Sequence, residues 1–334
     1  MLLGGLLGDI RNPGAEVLHS GPVSHHTCWT LDALIRHRLA VRRRHRTASE
    51  DFGPWPSPIP HVRRGLLRWG ALARQWPTSH PPDGWLSGVP VLTMDRGDTP
   101  AEDEAHHDLV AQRPLSAHDS RSSSALFRVL PLAASSVTTR PDVVASWCSG
   151  TTAMTHGHPE SWTATALLGV LVGSHLAGIF RHGPWLSLDA ATSLHWFFDH
   201  YPDPTLFDYL RQLLIRPDWS PAALQALAPD DTTLSVLAGA LYLFQHARNE
   251  PLAGVRHLAA TAGSPHAVAS LTCALLGLER GPGGLDTGEL SRHELTWVID
   301  ALARDYCVTL WSPPSPEGEM DVLDEMTLRY PEDP

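Results

Sequence analysis

Apolar residues recur at three- and four-residue spacing along most of this chain, and alternating two-residue patterns are scarce. That is the helical period, so the chain is predicted to be all-α. The clearest case is residues 251–281, where two amphipathic segments meet at a small-residue loop, 261–265, and Val268, Leu271, Leu275 and Leu278 mark the buried face of the second. Pro265 suits the first turn of that helix, and Gly277 and Gly281 bracket its end. Side chains on the loop stand ahead of a helix N-terminus, where unpaired N–H groups and the positive end of the dipole favour anions.

The same spacing predicts a first helix over residues 1–10. It predicts a second one beginning at Thr27 as N-cap, with Leu31, Leu34, Ile35 and Leu39 on one face. Further helices are expected over 61–76, 159–181, 187–201, 204–215, 232–247, 252–260, 265–279 and 292–306. Residues 77–120 are rich in proline, glycine and acids without firm periodicity, which reads as a loop insertion or lid. Residues 311–334 read as an acidic, proline-rich tail with a disordered end.

Composition narrows the function classes. An apolar fraction of 43% excludes wholesale disorder, and 334 residues allow one large domain or two small ones. A formal charge of −11 argues against general binding to nucleic acid or anionic membrane, which needs clustered basic surface. Arg42, Arg43, Arg44 and Arg46 form the one basic cluster, read as a solvated helix end. Cys28, Cys148, Cys273 and Cys307 are scattered through apolar patterns and read as buried free thiols in a reducing compartment. The N-terminus lacks a basic region ahead of its short apolar run, which Asp9 interrupts; this is unlike a signal peptide, and a cytoplasmic location is expected. The apolar stretch 164–180 is interrupted by Ser174 and His175, and a buried core helix fits it better than a membrane span.

Candidate chemistry lies in a few short stretches. Asp9 closes the run Gly4-x-x-x-Gly8-Asp9, and Glu16 follows seven residues later. Ser24-His25-His26-Thr27 stands at the start of the second helix. Ser122-Ser123-Ser124-Ala125-Leu126-Phe127-Arg128 comes shortly before Pro131, Thr155-His156-Gly157-His158-Pro159 opens the apolar stretch, and Ala262-Gly263-Ser264-Pro265-His266-Ala267 forms the loop described first. In character, order and spacing these stretches resemble the signatures of the ADP-ribosylglycohydrolases over roughly residues 4–281. The resemblance implies a single compact helical domain over 1–310, with a cleft where loops converge at helix N-termini.

In that family the second stretch reads Thr-Asp-Asp-Thr and the last Gly-Gly-Asp-Thr-Asp-Thr, and their aspartates bind Mg2+ or Mn2+. Here both elements have lost their acids. The family's metal positions fall on Glu16, Ser24, His25, His26, Ser264 and His266. The glycines and asparagine of Gly-Asn-Gly-Ala-Ala-Met-Arg, which let the backbone approach ADP-ribose, become Ser122, Ser123 and Ser124, whereas Arg128 stays. His156 matches the histidine of Thr-His-x-x-Pro that borders the ribose pocket. By this resemblance Ser24, Ser122, Ser123, Ser124, His156 and Ser264 are the substrate-binding positions.

His25, His26, His266 and Glu16 together would suit zinc, iron, cobalt, nickel or manganese rather than Mg2+, which prefers hard oxygen ligands. The first expectation is therefore a rebuilt metal site. A transition metal there would polarise an ADP-ribosyl linkage, and Glu16 would orient or deprotonate the attacking water. Its rival is a pseudoenzyme that holds ADP-ribose or a related nucleotide without cleaving it, with protonated histidines neutralising the pyrophosphate. In a third reading the histidines only cap helices and line a vestigial pocket. The expected partner is an ADP-ribose-like small molecule or an ADP-ribosylated substrate. Trp29 is placed to stack on its base, His257 to support the site from behind, and His37, His45, His106, His107, His182 and His246 are expected on exposed faces or loops.

Overall fold

The computed structural model describes residues 1–47, 56–77, 82–97, 100–111, 119–137, 139–176, 197, 199–201, 203–215, 218–311 and 322–332. Its helices, in chain order, are α1 Leu2–Gly8, α2 Pro22–Thr47, α3 Ile59–Ala73, α4 Pro100–Ala111, α5 Ser124–Ala133, α6 Pro141–Thr152, α7 Pro159–Leu176 and α8 Pro204–Ile215. They continue with α9 Pro221–Leu227, α10 Thr233–His246, α11 Leu252–Leu258, α12 Pro265–Arg280, α13 Thr287–Arg292, α14 Thr296–Trp311 and α15 Val322–Arg329. Among the described residues the only β pairings are the isolated bridges Leu18 to His293 and Ser122 to Thr232. The fold is all-α.

Many of these helices begin at proline: Pro22, Pro100, Pro141, Pro159, Pro204, Pro221 and Pro265. Proline's fixed φ suits the first helical position, and its missing N–H is one that would have no partner there. The chain therefore marks its own helix starts. The predicted segment 187–201 falls largely outside the described residues, as does the end of 159–181.

At the centre lies α12, buried on all sides over Ala267–Gly277. Val268, Leu271 and Leu275 point into the core as their spacing predicts, while Leu278 is half-buried. α1 lies directly against α12, and Gly4 and Gly8 make the approach possible. A Cβ on Gly4 would stand 2.2 Å from the Cys273 carbonyl oxygen, and one on Gly8 would stand 2.4 Å from Ser270 Cα. Ser270 Oγ donates to the Gly5 carbonyl at 2.8 Å across the same seam. Both obstacles are backbone and cannot swing aside, so Gly8→Ala is expected to lose about 3 kcal/mol of stability in urea unfolding, the upper end for overpacking. A loss below ~1 kcal/mol would mean that the two helices are not seated this closely.

Two stretches not expected to be helical each contain a helix. Within 77–120, residues 100–111 form α4, whose Ala101, Ala105 and Leu109 are buried one turn apart. The tail, whose end was expected to be disordered, forms α15 over Val322–Arg329. Its Tyr330 is 1% exposed and donates to Asp305 at 2.5 Å, and the Pro331 carbonyl accepts from Arg36 at 2.7 Å. Cys28, Cys148 and Cys273 are buried free thiols as expected, with burial pushing Cys273 up to about 12, but Cys307 is exposed. His37, expected on an exposed face, is buried beside His61. No helix among the described residues is long and apolar enough to cross a membrane.

Candidate functional site

α2 starts at Pro22, not after Thr27, so Ser24-His25-His26-Thr27 lies inside the helix. Thr27 is not the cap: its hydroxyl donates to the Val23 carbonyl at 3.2 Å, one turn back. The cap is supplied from α1. Asp9, at its C-terminal end and fully buried, accepts through Oδ2 from Gly21 N–H at 2.9 Å, Ser24 N–H at 3.3 Å and the Ser24 hydroxyl at 2.8 Å. Burial raises the Asp9 pKa, and Arg11 together with these donors opposes that rise. Its other oxygen, Oδ1, accepts no hydrogen bond and has Arg11 at 3.4 Å.

The helix start also separates the two adjacent histidines, because successive residues on a helix point about 100° apart. His26 looks into a cleft of about 240 Å3. His25 does not line it; it is 1% exposed, with Arg96, Glu294 and Asp95 among its charged neighbours. Burial is the main cause that lowers both rings to about 3, aided by Arg96 for His25 and by Arg128 for His26. Both imidazoles are therefore neutral near pH 7.

The cleft is also walled by Ser122, Ser123 and Ser124 at the start of α5 and by Ser264 and His266 at the start of α12. Neither helix has a side-chain cap on its N-terminus. In α5 the Leu126 N–H turns back to the Ser123 carbonyl at 3.0 Å, and α12 opens on Pro265, which has no N–H. Gly263 holds the second wall in place, its N–H donating to the Ala228 carbonyl at 2.7 Å, with no room for a Cβ against Pro229. His266 is half-buried, its pKa lowered by burial and by Arg11.

Behind the serines runs a closed ring of hydrogen bonds. Arg128 donates to Glu102 Oε1 at 3.1 Å and to Thr155 Oγ1 at 2.7 Å. Thr155 Oγ1 is 2.8 Å from His156 Nδ1, and His156 Nε2 is 3.0 Å from Ser122 Oγ and 3.2 Å from Ser124 Oγ. Ser124 closes the ring by donating to Glu102 Oε1 at 2.8 Å. Proton counting gives the ring a direction. If Thr155 accepts from Arg128 and gives its own proton to Nδ1, His156 carries its proton on Nε2 and donates to the serines. Because Ser124 gives its proton to Glu102, the Ser122 hydroxyl, 3.1 Å from Ser124 Oγ, donates to Ser124 within the same network.

The family-type metal is a poor fit to these donors. Glu16 is exposed and lies outside the cleft, His25 faces away, and Ser24 is spent on Asp9. Only His26 and His266 of the four expected ligands share the cleft. No three His, Cys, Asp or Glu side chains among the described residues are grouped to hold a metal ion. Glu16 and His25 are thus not brought together with His26 and His266 in this cleft. Trp29, 1% exposed in the core, and His257, on an exposed face, do not reach the cleft either.

Ser122, Ser123, Ser124 and Ser264 line the cleft, and His156 backs it. Three groups went unrecognised in the sequence: Glu102 of α4, 0% exposed behind Ser124; Arg11; and Asp231, which accepts from Ser123 at 2.8 Å. A larger cavity, about 740 Å3, lies between the end of α2 and the start of α3, where the connecting residues 48–55 fall outside the described part. It holds none of the motif residues.

The sequence profile of the ADP-ribosylglycohydrolase family matches residues 17–314, a span that begins just after Glu16 and takes in every wall of the cleft except Arg11. No curated protein matches the chain.

Proposed function

The chain belongs to the ADP-ribosylglycohydrolase family, and on that premise we propose that its cleft binds an ADP-ribose-like nucleotide directly, as a binding protein rather than a metal-dependent hydrolase. The observation that supports this most is the character of the walls. Hydroxyls, a guanidinium, imidazoles and two uncapped helix N-termini face the space, and Asp231 is the one carboxylate among the described residues that line it. Such walls suit phosphate oxygens, which only accept hydrogen bonds. They leave little to hold a divalent cation, since hard cations take several carboxylate or carbonyl oxygens.

Retained catalysis has one specific point in its favour. Asp231 stands at the cleft with its carboxylate steadied by Ser123. Water attack on an anomeric carbon needs a base within hydrogen-bond reach, and this carboxylate is the group that would serve.

Calorimetric titration of the full chain with ADP-ribose, with AMP and ribose 5-phosphate as controls, tests the binding reading. Mass spectrometry of an ADP-ribosylated arginine peptide incubated with the protein follows cleavage. Saturable, one-to-one binding of ADP-ribose without release of free peptide is the expected pair of results. Catalytic release abolished by Asp231→Asn would establish a hydrolase instead, and absence of binding would remove the nucleotide from the account.

A further inference from the structure

Arg11 belongs to none of the motifs, yet its position is closely specified. It follows α1 by three residues, its backbone N–H donates to the His19 carbonyl at 3.0 Å, and its side chain reaches the cleft. There it lies across Gly21, the residue just ahead of α2. An ideal Cβ on Gly21 would fall 2.5 Å from Arg11 Nε, 2.5 Å from its NH2 and 2.5 Å from Asp9 Oδ1. The missing side chain is therefore what lets the guanidinium and the buried carboxylate meet.

That carboxylate is the second observation. Asp9 is 0% exposed, its Oδ2 is saturated by the start of α2, and its Oδ1 has no hydrogen-bond donor. A buried carboxylate oxygen in that condition calls for a cation. The nearest one is Arg11 at 3.4 Å, partly exposed towards the cleft. It is tethered, carries a single charge, and cannot be chelated away.

We infer that Arg11 serves as a built-in cation in this cleft, standing beside Asp9 where a metal would otherwise balance the carboxylate, and binding a phosphate or diphosphate group of the ligand. A guanidinium has five N–H donors, and facing Asp9 occupies few of them. The planar fork of N–H groups matches phosphate geometry, which an ammonium reproduces only in charge. His266 lines the same cleft and can accept or donate a hydrogen bond. The inference rests on the proposed nucleotide binding for the identity of the ligand, but not for the presence of an anion site.

The experiment titrates the full chain in EDTA with two probes, ADP-ribose and inorganic pyrophosphate, for the wild type, Arg11→Gln and Arg11→Lys, with circular dichroism confirming that each is folded. Wild-type protein should bind both probes. Arg11→Gln should weaken both by roughly ten- to a hundredfold, the loss of a charge-assisted contact, and Arg11→Lys should recover part of it. Affinity of Arg11→Gln equal to wild type would overturn the inference, as would a wild-type affinity for ADP-ribose that rises more than about tenfold when Mn2+ replaces EDTA. Arg11-dependent binding of pyrophosphate without binding of ADP-ribose would leave the anion site standing and remove the nucleotide reading. Binding of neither probe would remove both.

Discussion

Between about pH 7 and pH 5 the protein is expected to lose most of its stability. Burial lowers His25, His26 and His37 to about 3 and His293 to about 4. In the unfolded chain each would titrate near its ordinary 6.5. A lowered pKa means that the folded state resists protonation, so the stability these rings contribute is complete above the unfolded value. It is lost progressively as the pH falls from there towards the folded value. At pH 5 the difference is about 2 kcal/mol for each ring. Four such rings together would consume much of a typical stability of about 5–15 kcal/mol.

Asp9 works in the opposite sense. Its raised pKa makes protonation easier in the folded state, so acid relieves part of its burial cost. One group does not offset four. Urea unfolding followed at pH 7.5, 6 and 5 should show midpoints falling steeply. A flat profile would mean that these rings carry their protons inside the fold and are not buried as described.

Glu102→Ala should be the most damaging single substitution near the site. Its carboxylate is shared by Arg128 and Ser124, with His26 Nδ1 3.9 Å away, and both Glu102 and Arg128 are almost wholly buried. Removing the acid leaves a buried guanidinium whose Nε and NH1 already lack partners. Breaking a buried pair from one side typically costs about 3–5 kcal/mol. Replacing both partners, as in Glu102→Leu with Arg128→Met, removes the stranded charge and should be milder than the single change despite deleting more polar atoms. Chemical denaturation of Glu102→Ala and of the double variant measures this directly. A loss under ~1 kcal/mol for Glu102→Ala would show that the ring of hydrogen bonds does not hold α4 to α5.

The helices were legible where proline and apolar spacing agree, as at Pro204 and Pro265, and the serines and His156 were picked out by their resemblance to the family's signatures. Other features depend on partners distant in sequence. Thr27 looks like a cap because Ser, His and His precede a long apolar-periodic run; the acceptor that caps α2 is Asp9, which belongs to another helix. Placing the helix start at Pro22 would have shown that His25 and His26 cannot share a target, since neighbouring helical residues diverge by about 100°. α4 was hidden because its buried stripe is two alanines and a leucine set among acids, so that Glu102 resembles a solvated charge. Its local signal was Pro100 with acids in the first turn. Similarly, Asp230-Asp231-Thr232 ahead of α10 is a helix-start signature, and Thr232 does cap that helix.

A cleft without a cluster of carboxylates is what separates this chain from the family pattern it otherwise follows. Two imidazoles line the cleft, each with its pKa lowered first of all by burial, and the acid retained from the first motif is turned inward to cap α2. What lines the cleft is a set of hydroxyls, two imidazoles, the Arg11 guanidinium and the Asp231 carboxylate.

Anomalous diffraction at the manganese edge, from crystals grown with ADP-ribose and Mn2+, interrogates that cleft most directly. The account predicts nucleotide density against Ser122, Ser264 and Arg11, with no anomalous peak between Asp9, His26 and His266. A strong manganese peak bridging those three side chains would contradict it.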